Sequence, residues 1–259
     1  MIGSLFVTGP AGTGKSTFCG AYKDWLVQND YDAIIVNLDP GAEYLPYEPD
    51  IDIRGFISLN EVMSAYSLGP NGAQVVAADL LLDNVDKIKS KLELYDDYYV
   101  IFDTPGQIEL FTFRPGSPLL VKSLAGEKAM IAFIADSMVS QTPSGFISEK
   151  MLFGSVYSRF FVPMMFVLNK IDLIGEDKVK EITGWEENPD LLYDSFRDEN
   201  TDSVKDYFLN VITALKDSDI INKIIPVSSK DSFGFEDIYT GMSDFFQGGE
   251  DTDTMYKDD

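Results

Sequence analysis

The stretch Gly9-Pro10-Ala11-Gly12-Thr13-Gly14-Lys15-Ser16 constrains this chain more than any other. It fits GxxxxGK[ST], the Walker A phosphate loop. The apolar run Ser4-Leu5-Phe6-Val7-Thr8 before it reads as a buried strand, and Thr17 to Gln28 after it has a helical pattern. Glycines at 9, 12 and 14 let the backbone bend tightly, so that successive N–H groups face a triphosphate. The helix N-terminus adds partial positive charge. Lys15 is placed to reach the terminal phosphates, and the Ser16 hydroxyl to ligate Mg2+. The expected phosphate contacts are therefore Gly12, Thr13, Gly14, Lys15, Ser16 and Thr17. A glycine-rich turn that binds nothing is the bland alternative, and the strand–loop–helix context argues against it.

Base choice is written elsewhere. Asn169-Lys170-Ile171-Asp172 follows the strand-like run Pro163 to Leu168 and resembles the guanine-reading NKxD motif of GTPases. The Asp172 carboxylate only accepts hydrogen bonds, and guanine offers two adjacent donors on its Watson–Crick edge. Adenine places an acceptor there and leaves the carboxylate unpaired, at a cost of about 1–3 kcal/mol. Lys170 can lay its stem along the base. Asn169 can bond the base or tie its loop back to the phosphate loop.

A third motif, Asp103-Thr104-Pro105-Gly106-Gln107, follows the run Tyr98 to Phe102. It matches DxxG, the usual γ-phosphate sensor of GTPases. Asp103 is expected to hold Mg2+ through water, the Gly106 N–H to meet the γ-phosphate, and Gln107 to orient the attacking water; Glu109 is a weaker candidate for that network. A second strand, Tyr31 to Leu38, ends at Asp39-Pro40. Asp39 reads either as an acid that positions water or Mg2+, or as part of a plain Asp-Pro turn. Ser228-Ser229-Lys230 follows the strand Ile224 to Val227. It reads either as a loop that touches the guanine O6, through Ser229, or as an ordinary strand-to-helix connection.

Taken together, these stretches resemble the GPN-loop GTPases. The residues that carry the likeness are the phosphate loop, Asn37-Leu38-Asp39-Pro40-Gly41-Ala42-Glu43, Asp103 through Phe111, and the tripeptide Gly69-Pro70-Asn71. The short form resembles archaeal members. Gly41 stands where many relatives carry Ala, and Pro10 and Ala11 occupy the positions where MinD-like relatives have a lysine. The resemblance implies a GTPase α/β fold with helical insertions, Mg2+-dependent conversion of GTP to GDP and phosphate, and a constitutive homodimer. It implies that Asn71 reaches toward the neighbour's phosphate site. It also implies protein clients such as RNA polymerase subunits or assembly factors, since longer eukaryotic relatives assist assembly and nuclear import of RNA polymerase II.

Elsewhere the chain alternates strand-like and helix-like runs, which suggests an α/β fold: a mostly parallel sheet with helices on both faces and site motifs at the carboxyl ends of strands. The domain is expected over 1–247, with insertions at about 44–95 and 176–218, then an acidic flexible tail at 248–259. A short helix is expected at Leu59 to Tyr66, a turn at Gly69-Pro70-Asn71, one longer helix from Ala77 to Leu94, and a last helix at Phe235 to Phe246. The aromatics Trp185, Tyr193 and Phe196 in an insertion at 183–202 read as packing residues. With no histidine, the chain has neither a histidine base nor a histidine metal site. A formal charge of −23 argues against direct nucleic-acid binding, which needs a basic footprint. Cys19, the only cysteine, rules out an internal disulfide and reads as a small buried hydrophobe. No apolar run is long enough for a membrane helix and no leader is evident, so a cytoplasmic location is expected. Two rivals keep the same loop: a nucleoside or polynucleotide kinase, and an assembly scaffold whose hydrolysis is incidental.

Overall fold

In the computed structural model of the protein, residues 1–198, 205–216 and 223–247 are described. Seven strands form one parallel sheet: β1 (Gly3–Thr8), β2 (Ala33–Asn37), β3 (Ile51–Asp52), β4 (Tyr99–Asp103), β5 (Ala129–Asp136), β6 (Met164–Asn169) and β7 (Ile224–Pro226). Their spatial order is β3-β2-β4-β1-β5-β6-β7. The central strands are apolar runs because both faces of a parallel sheet are covered. Alternation then sorts the side chains. Leu5 and Val7 face one core, built with α1 (Lys15–Gln28) and α10 (Phe235–Gln247). Phe6 faces the other.

That second core is covered by α2 (Leu59–Tyr66), α3 (Pro70–Asp83), α4 (Val85–Leu92), α5 (Ser117–Ala125), α6 (Pro143–Phe160), α7 (Glu176–Glu187), α8 (Pro189–Asp198) and α9 (Lys205–Lys216). Trp185 and Phe196 are buried in it, as a packing role requires, whereas Tyr193, expected to pack with them, is exposed. A buried ion pair, Lys150 to Glu186 at 3.1 Å, fastens α6 to α7. The Lys150 ammonium also sits 4.2 Å from the Phe166 ring centroid, and Glu186 accepts the Ile224 N–H of β7. The insertion is thus pinned to the sheet edge.

Two local expectations change. Gly69-Pro70-Asn71 is not a free-standing turn: Pro70 opens α3 with Gly69 as its N-cap. Proline suits this position because its missing N–H has no intrahelical partner there anyway. The single helix from Ala77 to Leu94 is instead two. The chain breaks at Asn84, whose amide donates to the Leu80 carbonyl at 2.9 Å and whose oxygen accepts from Lys87 at 2.8 Å. Such a side chain competes with the helix for backbone partners. The expected tail at 248–259, and residues 199–202 and 217–221, lie outside the described residues. Among the described residues no helix is long and apolar enough to cross a membrane.

Candidate nucleotide site

Four loops converge at the carboxyl ends of the central strands, where open α/β sheets bind ligands. The phosphate loop leaves β1 and enters α1 through Gly9, Gly12 and Gly14, all at positive φ. Gly14 has a second reason to lack a side chain, since a Cβ there would lie 2.8 Å from the Asn169 amide nitrogen. Lys15 is buried and spans the loop, donating to the carbonyls of Gly9 at 2.9 Å, Pro10 at 2.8 Å and Gly106 at 2.8 Å. Burial lowers its pKa, and the nearby Asp103 carboxylate works against that shift.

The segments expected to read the base are bonded to this loop. Asn169, buried at the end of β6, donates to the Thr13 carbonyl at 2.9 Å and accepts from the Ser229 hydroxyl at 2.9 Å. Of the two roles open to Asn169, the structure displays the tie. Lys170, in a left-handed backbone conformation, donates to the Gly12 carbonyl at 2.6 Å and to Asp136 at 2.7 Å. Asp172 is exposed, and one of its oxygens lies 3.2 Å from the Ser228 hydroxyl. Ser228 also lies 2.8 Å from Asp231, and has one proton to share between the two carboxylates. Asp136 and Asp231 were not anticipated. Asp136 ends β5, and only the pairing of Asp136 with Asn169 across β5 and β6 brings it to Lys170.

Asp103 ends β4 and is buried, with burial pushing its pKa up against the opposing pull of Tyr47, Ser16 and Lys15. One carboxylate oxygen accepts from the Tyr47 hydroxyl at 2.7 Å, and the other, Oδ1, is buried with no hydrogen-bond partner. A buried carboxylate oxygen lacking a donor, beside a loop serine, fits a hard cation. No cluster of three ligand-type residues is found among the described residues, so a cation here draws on few protein groups. Mg2+ behaves that way, keeping waters and binding one or two protein groups plus substrate phosphates. The donor set therefore fits the expected metal. Cys19 lies below, fully buried, and burial pushes its thiol up, so it is an inert packing residue.

The candidate hydrolytic residues are arranged differently. Asp39 sits beside the sensor loop and accepts the Gly106 N–H at 3.1 Å and the Gly41 N–H at 2.8 Å. Thr17, Gln107 and Glu109 are exposed. Asn71 is exposed on the first turn of α3. No hydrogen bond holds the side chains of Asn71, Gln107 or Glu109 among the described residues. Arg114, after the sensor, pairs with Asp79 on α3 and joins these two segments.

The comparisons with known proteins agree with this geometry. The model of a family described as a conserved hypothetical ATP binding protein matches residues 7–248. GPN-loop GTPase 3 of Eremothecium gossypii is 36% identical over 251 residues, covering 95% of this chain and 92% of that protein. GPN-loop GTPase 3 of Saccharomyces cerevisiae is 35% identical over 252 residues, covering 95% and 93%. A solved GTPase in apo form from Pyrococcus abyssi has a TM-score of 0.81 at 27% identity, covering 95% of this chain and 98% of that one. All three are matched over nearly their whole length, and the two eukaryotic relatives share more sequence with this chain. The family's description names ATP, whereas these relatives are named as GTPases. The chain belongs to the GPN-loop GTPase family and is a GTP hydrolase.

Proposed function

We propose that the protein is a Mg2+-dependent, nucleotide-switched homodimer that hydrolyses GTP while assembling protein complexes such as RNA polymerase. The carrying observation is the Asn169–Thr13 hydrogen bond, which joins the guanine-reading and phosphate-binding loops into one site. Gly12 to Thr17 hold the phosphates, Lys15 supplies charge, and Asp172 reads the base with Lys170 and Ser229 around it. Ser16 and Asp103 would hold Mg2+, with Asp39 beside them. When bound, Mg2+ neutralises charge on the β- and γ-phosphates and orients them.

Hydrolysis needs a water oxygen in line with the γ-phosphorus. As the new P–O bond forms, the bond to the β-bridging oxygen breaks, giving GDP, and the water's proton leaves with the phosphate or to solvent. Gln107 and Asp39 place the water, with Glu109 at the edge of that network. The partner subunit's Asn71 donates to a phosphate oxygen. Support for a role in trans is the exposure of Asn71, together with the family resemblance. A neutral amide brings no net charge, so basal turnover is slow beside enzymes with an arginine finger, a group worth ~10³–10⁵ in rate.

The clients are proteins, approached without direct nucleic-acid or membrane contact, in the cytoplasm. Support for this is the acidic balance of the chain and the resemblance. Product analysis tests the chemistry. Free phosphate and GDP are expected from GTP alone, whereas a requirement for a phosphorylated acceptor would make the chain a kinase. Purification of the protein with its partners, in GDP and in a GTP analogue, tests the assembly role. Clients held in one nucleotide state only are expected.

A further inference from the structure

Gly106 is held at both ends of its residue. Its N–H donates to Asp39 Oδ2 at 3.1 Å, and its carbonyl accepts from Lys15 at 2.8 Å. Asp39 is itself fixed. Its other carboxylate oxygen accepts from Gly41 at 2.8 Å, and its own N–H donates to the Asn37 side-chain oxygen at 2.9 Å. Asn37 donates onward to Asp52 at 2.9 Å, and Asp52 is paired with Arg54 at 2.7 Å. The carboxylate is therefore aimed at the sensor loop by a chain of partners that ends in a cation.

On the GTP hydrolase reading, which this inference deepens, the Gly106 N–H and the Lys15 ammonium are the groups that meet the γ-phosphate. In the conformation described, both bond protein oxygens. A γ-phosphate oxygen and the Asp39 carboxylate are both anions seeking the same N–H, and like charges at contact repel. GDP brings no γ-phosphate to that competition. We propose that Asp39 is a latch that sets the preference between GDP and GTP: its carboxylate holds the Gly106 N–H in the GDP state and is displaced from it by the γ-phosphate. Once displaced, the same carboxylate is free to accept from the attacking water. The latch also abuts the helix that carries Asn71, because a Cβ on Gly41 would lie 3.2 Å from the Gln74 amide of α3 and 3.3 Å from Asp39 Oδ1.

The test is the ratio of dissociation constants for GDP and for β,γ-imido-GTP, both with excess Mg2+, in the full chain. Calorimetry on the wild type, Asp39→Ala and Asp39→Asn supplies it. Losing a hydrogen bond to a charged group corresponds to about tenfold or more, so Asp39→Ala shifts the ratio toward the analogue by that factor. Asp39→Asn, which keeps an acceptor without the charge, shifts it by less and in the same direction. A ratio that stays put, or moves toward GDP, overturns the latch; a carboxylate that only placed water would lower kcat and leave the ratio alone. Hydrogen exchange in the wild type needs no variant to fold. Residues 38–42 exchange several-fold faster with the analogue than with GDP, and equal protection overturns the proposal. Wild type and variants that bind both nucleotides with the same ratio remove the latch alone, whereas a wild type that binds neither nucleotide removes the hydrolase reading with it.

Discussion

The base side of the site and the hydrolytic side are built to different standards. On the base side, Asn169, Lys170, Ser228 and Ser229 are bonded to one another's loops or to the phosphate loop, and Asn169 and Ser229 are buried. On the hydrolytic side, Gln107, Glu109 and Asn71 are exposed, and Asp39 is bonded to the sensor's own N–H. Preorganised donors and acceptors give affinity, because little is left to order on binding. Groups left loose or engaged elsewhere give slow chemistry until something rearranges them. On the proposed reading, the contrast is that of a protein that holds its nucleotide firmly and turns it over only when its second half is completed.

The sharpest way to break that contrast is to separate the halves between subunits. Asn71→Ala keeps an intact nucleotide site but withholds the amide from its partner. Lys15→Ala damages the site but still offers Asn71. Each homodimer is expected to lose on the order of 10²-fold or more in kcat, the scale of a lost transition-state donor. Isolated mixed dimers from co-expression should recover one working site. Nucleotide affinity should survive in Asn71→Ala alone. Mixed dimers no more active than either parent would place Asn71 outside the partner's chemistry.

Asp172→Asn probes the built half. One acceptor becomes a donor, which opposes the guanine edge and suits xanthine. GTP affinity is expected to fall by roughly 10–100-fold, and that for xanthosine triphosphate to rise. Calorimetric titration with both nucleotides reads it directly. Unchanged GTP binding would mean that the base lies elsewhere.

The built half was the more legible one. Its motifs are short, contiguous and attached to strand ends, so their spacing together with the resemblance to GTPase motifs assigned Asp172 and Lys15 to one expected site. The partners came from pairing across the sheet. Asp136 carries no signal in isolation; it matters because β5 runs beside β6, and β5 was not among the five strands singled out in the sequence. Tyr47 lies in a loop, where nothing in its neighbours points to Asp103. The Asp39–Gly106 contact joins residues 67 apart in sequence, and a motif reading assigns that N–H to the substrate. The break at Asn84 was missed because apolar spacing continues across it, and a single side-chain amide ends α3 and precedes α4.

One flaw sits within the built half. Glu149, on α6, is buried with one carboxylate oxygen unpartnered, and burial, with Asp136 nearby, pushes its pKa up to about 7. A carboxyl whose pKa is raised on folding binds more protons in the native state between its unfolded value and about 7. Stability therefore falls as pH rises through that window, and the penalty is complete above it. Glu149→Gln removes the ionisation and keeps the shape. It is expected to gain roughly 1–2 kcal/mol at pH 8 and little near pH 5. Denaturant titrations across this range measure the difference. A gain independent of pH would assign the effect to packing.

Gly41→Ala tests the hydrolytic half most gently. Gly41 is not at positive φ, and the resemblance says that many relatives carry Ala there. On backbone grounds the change stabilises by about 0.4–1 kcal/mol, since the unfolded chain has fewer conformations to lose. The new methyl would stand 3.2 Å from the Gln74 amide nitrogen and 3.3 Å from Asp39 Oδ1, so one of them must give by a few tenths of an ångström. Gln74 is half-buried with a flexible end, and Asp39 is held by two N–H groups. If Gln74 gives, melting rises slightly and the preference between GDP and β,γ-imido-GTP is unchanged. If Asp39 gives, its grip on the Gly106 N–H weakens and the preference moves toward the analogue by about two- to threefold, under 1 kcal/mol. We expect the first outcome, because the Gln74 amide is the far end of a flexible side chain, while the Asp39 carboxylate is held by the N–H groups of Gly41 and Gly106. A shift toward GDP would instead show that the methyl strengthens the carboxylate's hold, and the two halves would then be coupled more tightly than their hydrogen bonds suggest.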